Sequence, residues 1–330
     1  MTNYQFEKDL VRTFHRASDA AAPAALRDIF AQHCAPDLTW YGYHPFNTLN
    51  GPDAVVEAFW SPLKTSLRHM QRREDIFFAG ENTLPGQPGI WVVSMGHLLG
   101  LFDAPWLGIQ PSHKMAMLRY CSFHRVAEGA IQETAFYIDI PHLMAQAGQG
   151  PFPTQTAQHF IQPGPLGHGG CLYTAQPTEE GTKTLAAINA MITDLGQWKL
   201  GLPLEEELAR TWHDDMIWWG PEGIGATYTI ARYAKQHSGP FRAAFSERTK
   251  TQHIARLAEG HYGGFFGNPN FTARLTGPFM GHPATGKTGS FRVIDLYRRA
   301  GDKLAENWVF IDLLHFWKDQ GIDILNGDRL

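Results

Sequence analysis

Apolar and polar positions change period along the chain, and the changes mark its elements. Tyr4, Phe6, Leu10, Val11 and Phe14, then Leu26, Ile29 and Phe30, fall near the spacing of a helix face and predict helices over 4–16 and 24–34. Pro36 stops the second, and Leu38–Tyr43 reads as a short strand. Gly51-Pro52-Asp53 opens another helix with proline in its first turn; Val55, Val56, Phe59 and Trp60 form its apolar side, and beyond Pro62 a second piece runs to about Met70. Strand-like runs follow at 72–80, 90–102, 112–126 and 130–140. Over 147–176 the period is lost among Gly148, Gly150, Pro151, Pro153, Pro163, Gly164 and Pro165, so 148–177 reads as a linker and as a candidate lid. Helices are then expected at 178–196 and 203–212, a strand at Met216–Trp219, and helical stretches near 225–237 and 239–246. Strands near 249–259, 262–275, 286–299 and 303–312 and a closing helix from Leu313 to Gln320 complete the chain.

That order is written twice. Subtracting 173 maps Lys287 onto Lys114, Arg292 onto Arg119, Arg298 onto Arg125, Leu304 onto Ile131, Glu306 onto Glu133, Asp312 onto Asp139 and His315 onto His142. Upstream the offset is 178, pairing Asp37–Gly42 with Asp215–Gly220. A unit of roughly 150 residues can bury one core, and the period is far longer than the 50 or so residues of a solenoid repeat. Helices, strand, helix and then long strands describe an α+β fold with helices against one face of a curved sheet. The boundaries are 1–147 for the first domain and 178–330 for the second.

Composition narrows the partners. Of 330 residues 43% are hydrophobic and 18% charged, which suits generous globular cores. A formal charge of −4 without a basic run argues against a nucleic-acid partner. Cys34, Cys121 and Cys171 are scattered and odd in number, no apolar run approaches a membrane span, and Met1–Leu10 lacks a signal-peptide pattern; the expectation is a cytoplasmic protein with no membrane partner. Sixteen histidines form no His-Glu-x-x-His or His-x-His, and there is no Cys-x-x-Cys, so no metal is expected. Gly220-Pro221-Glu222-Gly223-Ile224-Gly225 lacks the strand–helix setting of a nucleotide loop, and no Gly-x-Ser-x-Gly elbow occurs; no cofactor is expected either.

The candidate chemistry lies in Gly281–His315, two apolar runs around a turn at Gly301-Asp302-Lys303 that read as a hairpin covered on both faces. Asp295, Glu306, Asp312 and His315 sit inside it, and a buried carboxylate is costly unless paired or hydrogen-bonded. Glu306 and Glu133 can pair with Arg298 and Arg125 across each hairpin. Asp312 with His315, and Asp139 with His142, can cap the closing helix or face a pocket. Asp295, in an apolar strand, leans towards function.

Trp218-Trp-Gly220-Pro221, His237-Ser-Gly-Pro240-Phe241, Ala258-Glu-Gly260, Gly277 through Lys287, Ile294-Asp295-Leu-Tyr-Arg298 and Glu306-Asn-Trp308 to Gln320-Gly321 resemble SnoaL-like polyketide cyclases of the nuclear transport factor two-like superfamily. The first copy carries a thinner resemblance in Asp37–Gly42, Pro45 to Gly51, Phe59–Leu63, Lys114 and Arg119. The resemblance implies two tandem cone-shaped domains, each a curved antiparallel sheet around N-terminal helices with a small-molecule pocket, packed as an intramolecular pseudo-dimer, with a homodimer also open. It implies cofactor-free aldol chemistry by acid–base catalysis, with lyase, isomerase and hydrolase reactions on the same fold as alternatives and non-catalytic binding of an apolar ligand as the other class. The family's catalytic His and Asp, on adjacent strands, map onto Asp295 and Val309 here and onto Ser122 and Phe136 in the first copy. Candidate catalytic residues are therefore Asp295, Asp312, His315, Asp139 and His142; Trp40, His44, Trp60, Trp218, His282 and Trp308 are candidates for substrate binding.

Overall fold

The amphipathic N-terminal run folds as α1 (Gln5–Ala20), which buries Val11 and Phe14, and after a short turn α2 (Leu26–His33) buries Leu26 and Phe30. This is a computed structural model, and it describes residues 4–153, 157–159, 161–197 and 201–330. Strands β1 (Cys34–Gly42) and β2 (Thr48–Asn50) follow, then α3 (Pro52–Val55), a π-turn at Val56–Trp60 and α4 (Ser61–Ser66). Long strands β3 (Leu67–Glu81), β4 (Ile90–Phe102), β5 (Met115–Ala127) and β6 (Ala130–Ile138) lead to α5 (Ile140–Gln146). The sheet runs β2-β1-β6-β5-β4-β3 and is antiparallel except where β1 lies parallel to β6.

The same succession recurs as α6 (Thr178–Gln197), α7 (Leu204–Ala209), β7 (Trp212–Trp219), β8 (Ala226–Tyr228), α8 (Ile230–Tyr233), a π-turn and α9 (Gly239–Ala244). Then come β9 (Phe245–Ser246), β10 (Ala255–Glu259), β11 (Tyr262–Leu275), β12 (Thr288–Ala300), β13 (Lys303–Ile311) and α10 (Leu313–Asp319). The bounds of β12, β13 and α10 are those of β5, β6 and α5 moved by 173, so the repeat in sequence is a repeat in structure. Both sheets curve, and the fold is α+β. Met1–Gly150 with Pro163–Ala175 forms one unit, and Pro151–Gln162 with Gln176–Leu330 forms the other.

Three expectations change. The helical piece expected to reach about Met70 stops at Ser66, and Leu67 already opens β3. The helix expected from 225 begins at 230, because Ala226–Tyr228 pairs with β7 and Thr229 caps the helix by accepting from Arg232 N. The strand expected over 249–259 begins only at Ala255. At an offset of 178 its counterpart is the continuous β3; Glu247 and its counterpart His69 are both left-handed, at φ 52° and 54°, but β3 rejoins its ladder at Gln71 after a register shift, whereas 247–254 leaves the ladder. The neighbouring β11 slips register between Gly267 and Phe271, where Pro269 offers no N–H to a partner. The sheet of the second unit is thus open at its edge where that of the first is closed.

In the Gly/Pro-rich stretch, residues 154–156 and 160 lie outside the described residues. Elsewhere in it Phe77 N donates to Gly170 O and Leu172 N to Phe77 O, while Gln158 and Ala226 exchange a backbone pair. Among the described residues no helix is long and apolar enough to cross a membrane.

Candidate functional site

Side chains alternate across a strand, so Phe291, Val293, Asp295 and Tyr297 share one face of β12, and Asn307, Val309 and Ile311 share that face of β13. All seven line a cavity of about 140 Å³ in the second unit. Met191, Ile192 and Leu195 of α6 close it from one side, and the α8–α9 segment brings Tyr233, His237 and Phe241. Trp218 of β7 forms a wall, with the His237 ring stacked on it at 3.9 Å.

Asp295 is the carboxylate of this cavity. It is half-buried and lines the cavity. Desolvation by the apolar walls raises its pKa to about 7, although hydrogen bonds from Asn307 and Tyr297 pull the other way. Asn307 Nδ2 donates to Asp295 Oδ1 at 3.1 Å and to Leu296 O at 2.9 Å, which fixes the amide and with it the carboxylate. Burial, reinforced by the nearby Asp295 charge, pushes the Tyr233 and Tyr297 phenols up, so both stay protonated. Burial also holds His237 down at about 3, as a neutral imidazole. A base that titrates near neutrality, two phenol donors and an amide therefore meet at one end of a cavity that also presents Arg242, Arg248, Thr251, His253 and Asn270, a set suited to moving a proton next to a carbonyl.

The first unit has the same walls and almost no space, with a cavity of about 10 Å³. Asp295 and Val309 are cross-strand partners, as are Ser122 and Phe136. At the matching positions Val293 becomes Tyr120, Val309 becomes Phe136 and Ser238 becomes Trp60. Tyr120 and Phe136 stack with centroids 5.5 Å apart, and Trp60 packs on Phe136 at 5.0 Å. Buried polar groups there satisfy one another: Ser94 Oγ donates to Glu74 at 2.6 Å, Tyr173 does so at 2.8 Å, and His15 and His124 meet at 3.2 Å. Desolvation lowers the pKa of both histidines.

Of the candidates read from sequence, Asp295 and Trp218 line the cavity together. Asp312 caps α10, accepting from His315 N at 3.1 Å with Arg292 3.4 Å away, and Asp139 caps α5 by accepting from His142 N at 3.2 Å. Asp312 lies one residue beyond Ile311, on the other side of the alternation, and neither it nor His315 is part of the cavity lining. His315 instead meets Ser290 Oγ at 2.8 Å. Trp308 is fully buried, but between Asn307 and Val309 it belongs to the opposite face of β13. His282 bonds Pro283 O at 2.7 Å and packs edge-on to Trp317. Trp40, Trp60 and His44 are buried in the first unit, where Trp40 and Trp60 border the small void. The Arg–Glu pairs form across both hairpins, Arg298 on Glu306 and Arg125 on Glu133 at 2.6 Å. Sequence reasoning passed over Tyr233, His237, Tyr297 and Asn307. The signal was there in the aligned copies, where three bulky residues of the first become small in the second.

Residues 207–319 match the family model of the SnoaL-like polyketide cyclases, so the second unit carries a SnoaL-like domain. No curated protein matches the chain. Among solved structures, a Jannaschia sp. CCS1 protein described provisionally as a SnoaL-like polyketide cyclase is 21% identical, over 45% of this chain and 94% of that one, with a TM-score of 0.34. An NTF2-like protein from Burkholderia thailandensis E264 is 22% identical over 45% and 99%, with a TM-score of 0.32. IdmH from Streptomyces antibioticus is 15% identical over 42% and 99%, with a TM-score of 0.35.

Proposed function

We propose that the second unit is an acid–base catalyst for a carbonyl-bearing small molecule and works with its own side chains. The ionised Asp295 carboxylate takes a proton from the carbon next to the carbonyl. The charge moves to the carbonyl oxygen, where the Tyr233 phenol donates a hydrogen bond. Tyr297 and Asn307 hold the carboxylate in place. The resulting enolate either adds to a second carbonyl, closing a ring by aldol addition, or takes the proton back at another carbon, an isomerisation. In both cases the proton held by Asp295 returns to the product, and no redox partner is needed.

The observation that carries this reading is the desolvated Asp295, its pKa raised to about 7, inside a cavity that also presents phenols. A carboxyl group kept there for packing alone would be a cost without a return. The test is a screen of diketones and hydroxyketones with the parent, Asp295→Asn and Tyr233→Phe. We expect turnover in the parent and a loss of about 100-fold or more in Asp295→Asn, the size of effect typical of a removed general base. Ligands that bind parent and Asp295→Asn alike, with no turnover by either, would replace this reading with that of a binding protein. The first unit, with its site filled by Tyr120, Phe136 and Trp60, is proposed as a non-catalytic copy.

A further inference from the structure

An outer cleft of about 550 Å³ adjoins the inner cavity of the second unit, and the two share Ile192, Arg242, Arg248 and Thr251. Those four residues are therefore the threshold between them, at the place where 247–254 leaves the sheet. An apolar cavity of about 150 Å³ holds a benzene, so the inner space of about 140 Å³ admits roughly one ring. A longer ligand can extend across the threshold into the outer cleft.

The threshold is positively charged. Arg242 is engaged in a bidentate pair with Glu207, at 2.6 and 3.0 Å. Arg248 lies over the Phe271 ring, 4.4 Å from its centroid, and donates to Thr251 Oγ1 at 3.3 Å. Lys250 lines the outer cleft, and Glu247, which also lines it, is paired with Arg274 at 3.1 Å. Arg242, Arg248, Lys250 and Arg274 against Glu207 and Glu247 leave a net charge of plus two (four minus two). Phe271 stacks on its register partner Phe291, and Phe291 is four residues from Asp295 on β12, roughly 13 Å along the strand at the usual rise. The cation and the base thus face opposite ends of one path.

We infer that the ligand of this site is a keto acid, whose ring-sized carbonyl head enters the inner cavity at Asp295 and whose carboxylate rests on Arg248 at the threshold. The assignment of the head rests on the proposed function; the assignment of the anion does not. A suitable probe is 9-oxo-9-phenylnonanoate, an aryl ketone on a long carboxylate tail, compared by titration calorimetry with its methyl ester and with the phosphate monoester of the same length. The parent binds the acid about 10-fold more tightly than the ester, as expected for a hydrogen bond to a charged group. Arg248→Met loses that preference while its affinity for the ester stays within about two-fold, which shows that the cavity is intact; Arg248→Lys keeps part of it. Asp295→Asn keeps the preference in full, so failure of the catalytic reading leaves this result standing. Equal binding of acid and ester by the parent, a preference that survives in Arg248→Met, or no binding of either ligand would overturn the inference. Tighter binding of the phosphate than of the acid would overturn the choice of carboxylate.

Discussion

Replacing Asp295 by Asn should stabilise the protein, and only at high pH. Burial raises the carboxyl pKa from 3.8 to about 7. Between about pH 4 and pH 7 the unfolded chain has released this proton and the folded chain still holds it, so the parent loses stability as pH rises through that window. The shift of 3.2 units (7 minus 3.8) at about 1.4 kcal/mol per unit amounts to about 4 kcal/mol, fully expressed above pH 7 and absent below pH 4. Asparagine keeps the shape and the oxygen that accepts from Asn307 but has no charge to desolvate. The assay is urea unfolding of parent and variant at pH 4, 6 and 8, read as the variant-minus-parent difference so that other titrating groups cancel. That difference should climb with pH towards about 4 kcal/mol while activity disappears, a trade of stability against function. A difference that is flat with pH, or a variant less stable than the parent at pH 8, would refute the view that the cavity desolvates this group.

Other predictions follow from the same geometry. Val309→Phe reproduces Phe136 of the first unit; it should fill the cavity and abolish ligand binding while circular dichroism stays native, at an overpacking cost of no more than about 1–3 kcal/mol. Asp312→Ala removes a cap and should cost about 1 kcal/mol, or somewhat more since the contact with Arg292 goes too, without moving the pH profile of kcat. Glu306→Gln leaves Arg298 facing a neutral amide on a fully buried strand, and chemical denaturation should register a loss of about 3–5 kcal/mol. His237, whose folded pKa near 3 lies below its ordinary 6.5, contributes stability that is lost as pH falls from 6.5 towards 3; His237→Phe, which can keep the stack on Trp218, should flatten that part of the stability curve.

The fold was legible because strand-forming runs and their spacing repeat at two nearby offsets, 178 upstream and 173 in the closing hairpin, and hydrophobic period reports burial directly. The caps were half-legible: Asp312 ahead of an apolar helical run fits a cap and a pocket equally well, and only the position of Arg292 and the turn of α10 decide between them. Trp308 illustrates a different limit. A strand covered on both faces has no polar face to show which tryptophan meets the cavity, so period cannot separate it from its neighbours. The break at 247–254 was hidden because Thr249, Lys250 and Thr251 suit a strand edge as readily as a loop. What opened the cavity was a set of size changes, Tyr120 to Val293, Phe136 to Val309 and Trp60 to Ser238, which no single stretch displays and which emerge when the copies are compared position by position.

Deuterium uptake tests the central claim most directly. An aryl ketone such as 9-oxo-9-phenylnonanoate is incubated with the protein in heavy water, and loss of the proton signal beside its carbonyl is followed by NMR. Parent protein should exchange that proton at a rate rising with pH through about 7, while Asp295→Asn stays at the buffer rate. Exchange by the variant equal to that of the parent, or a parent rate indistinguishable from buffer, would contradict the account.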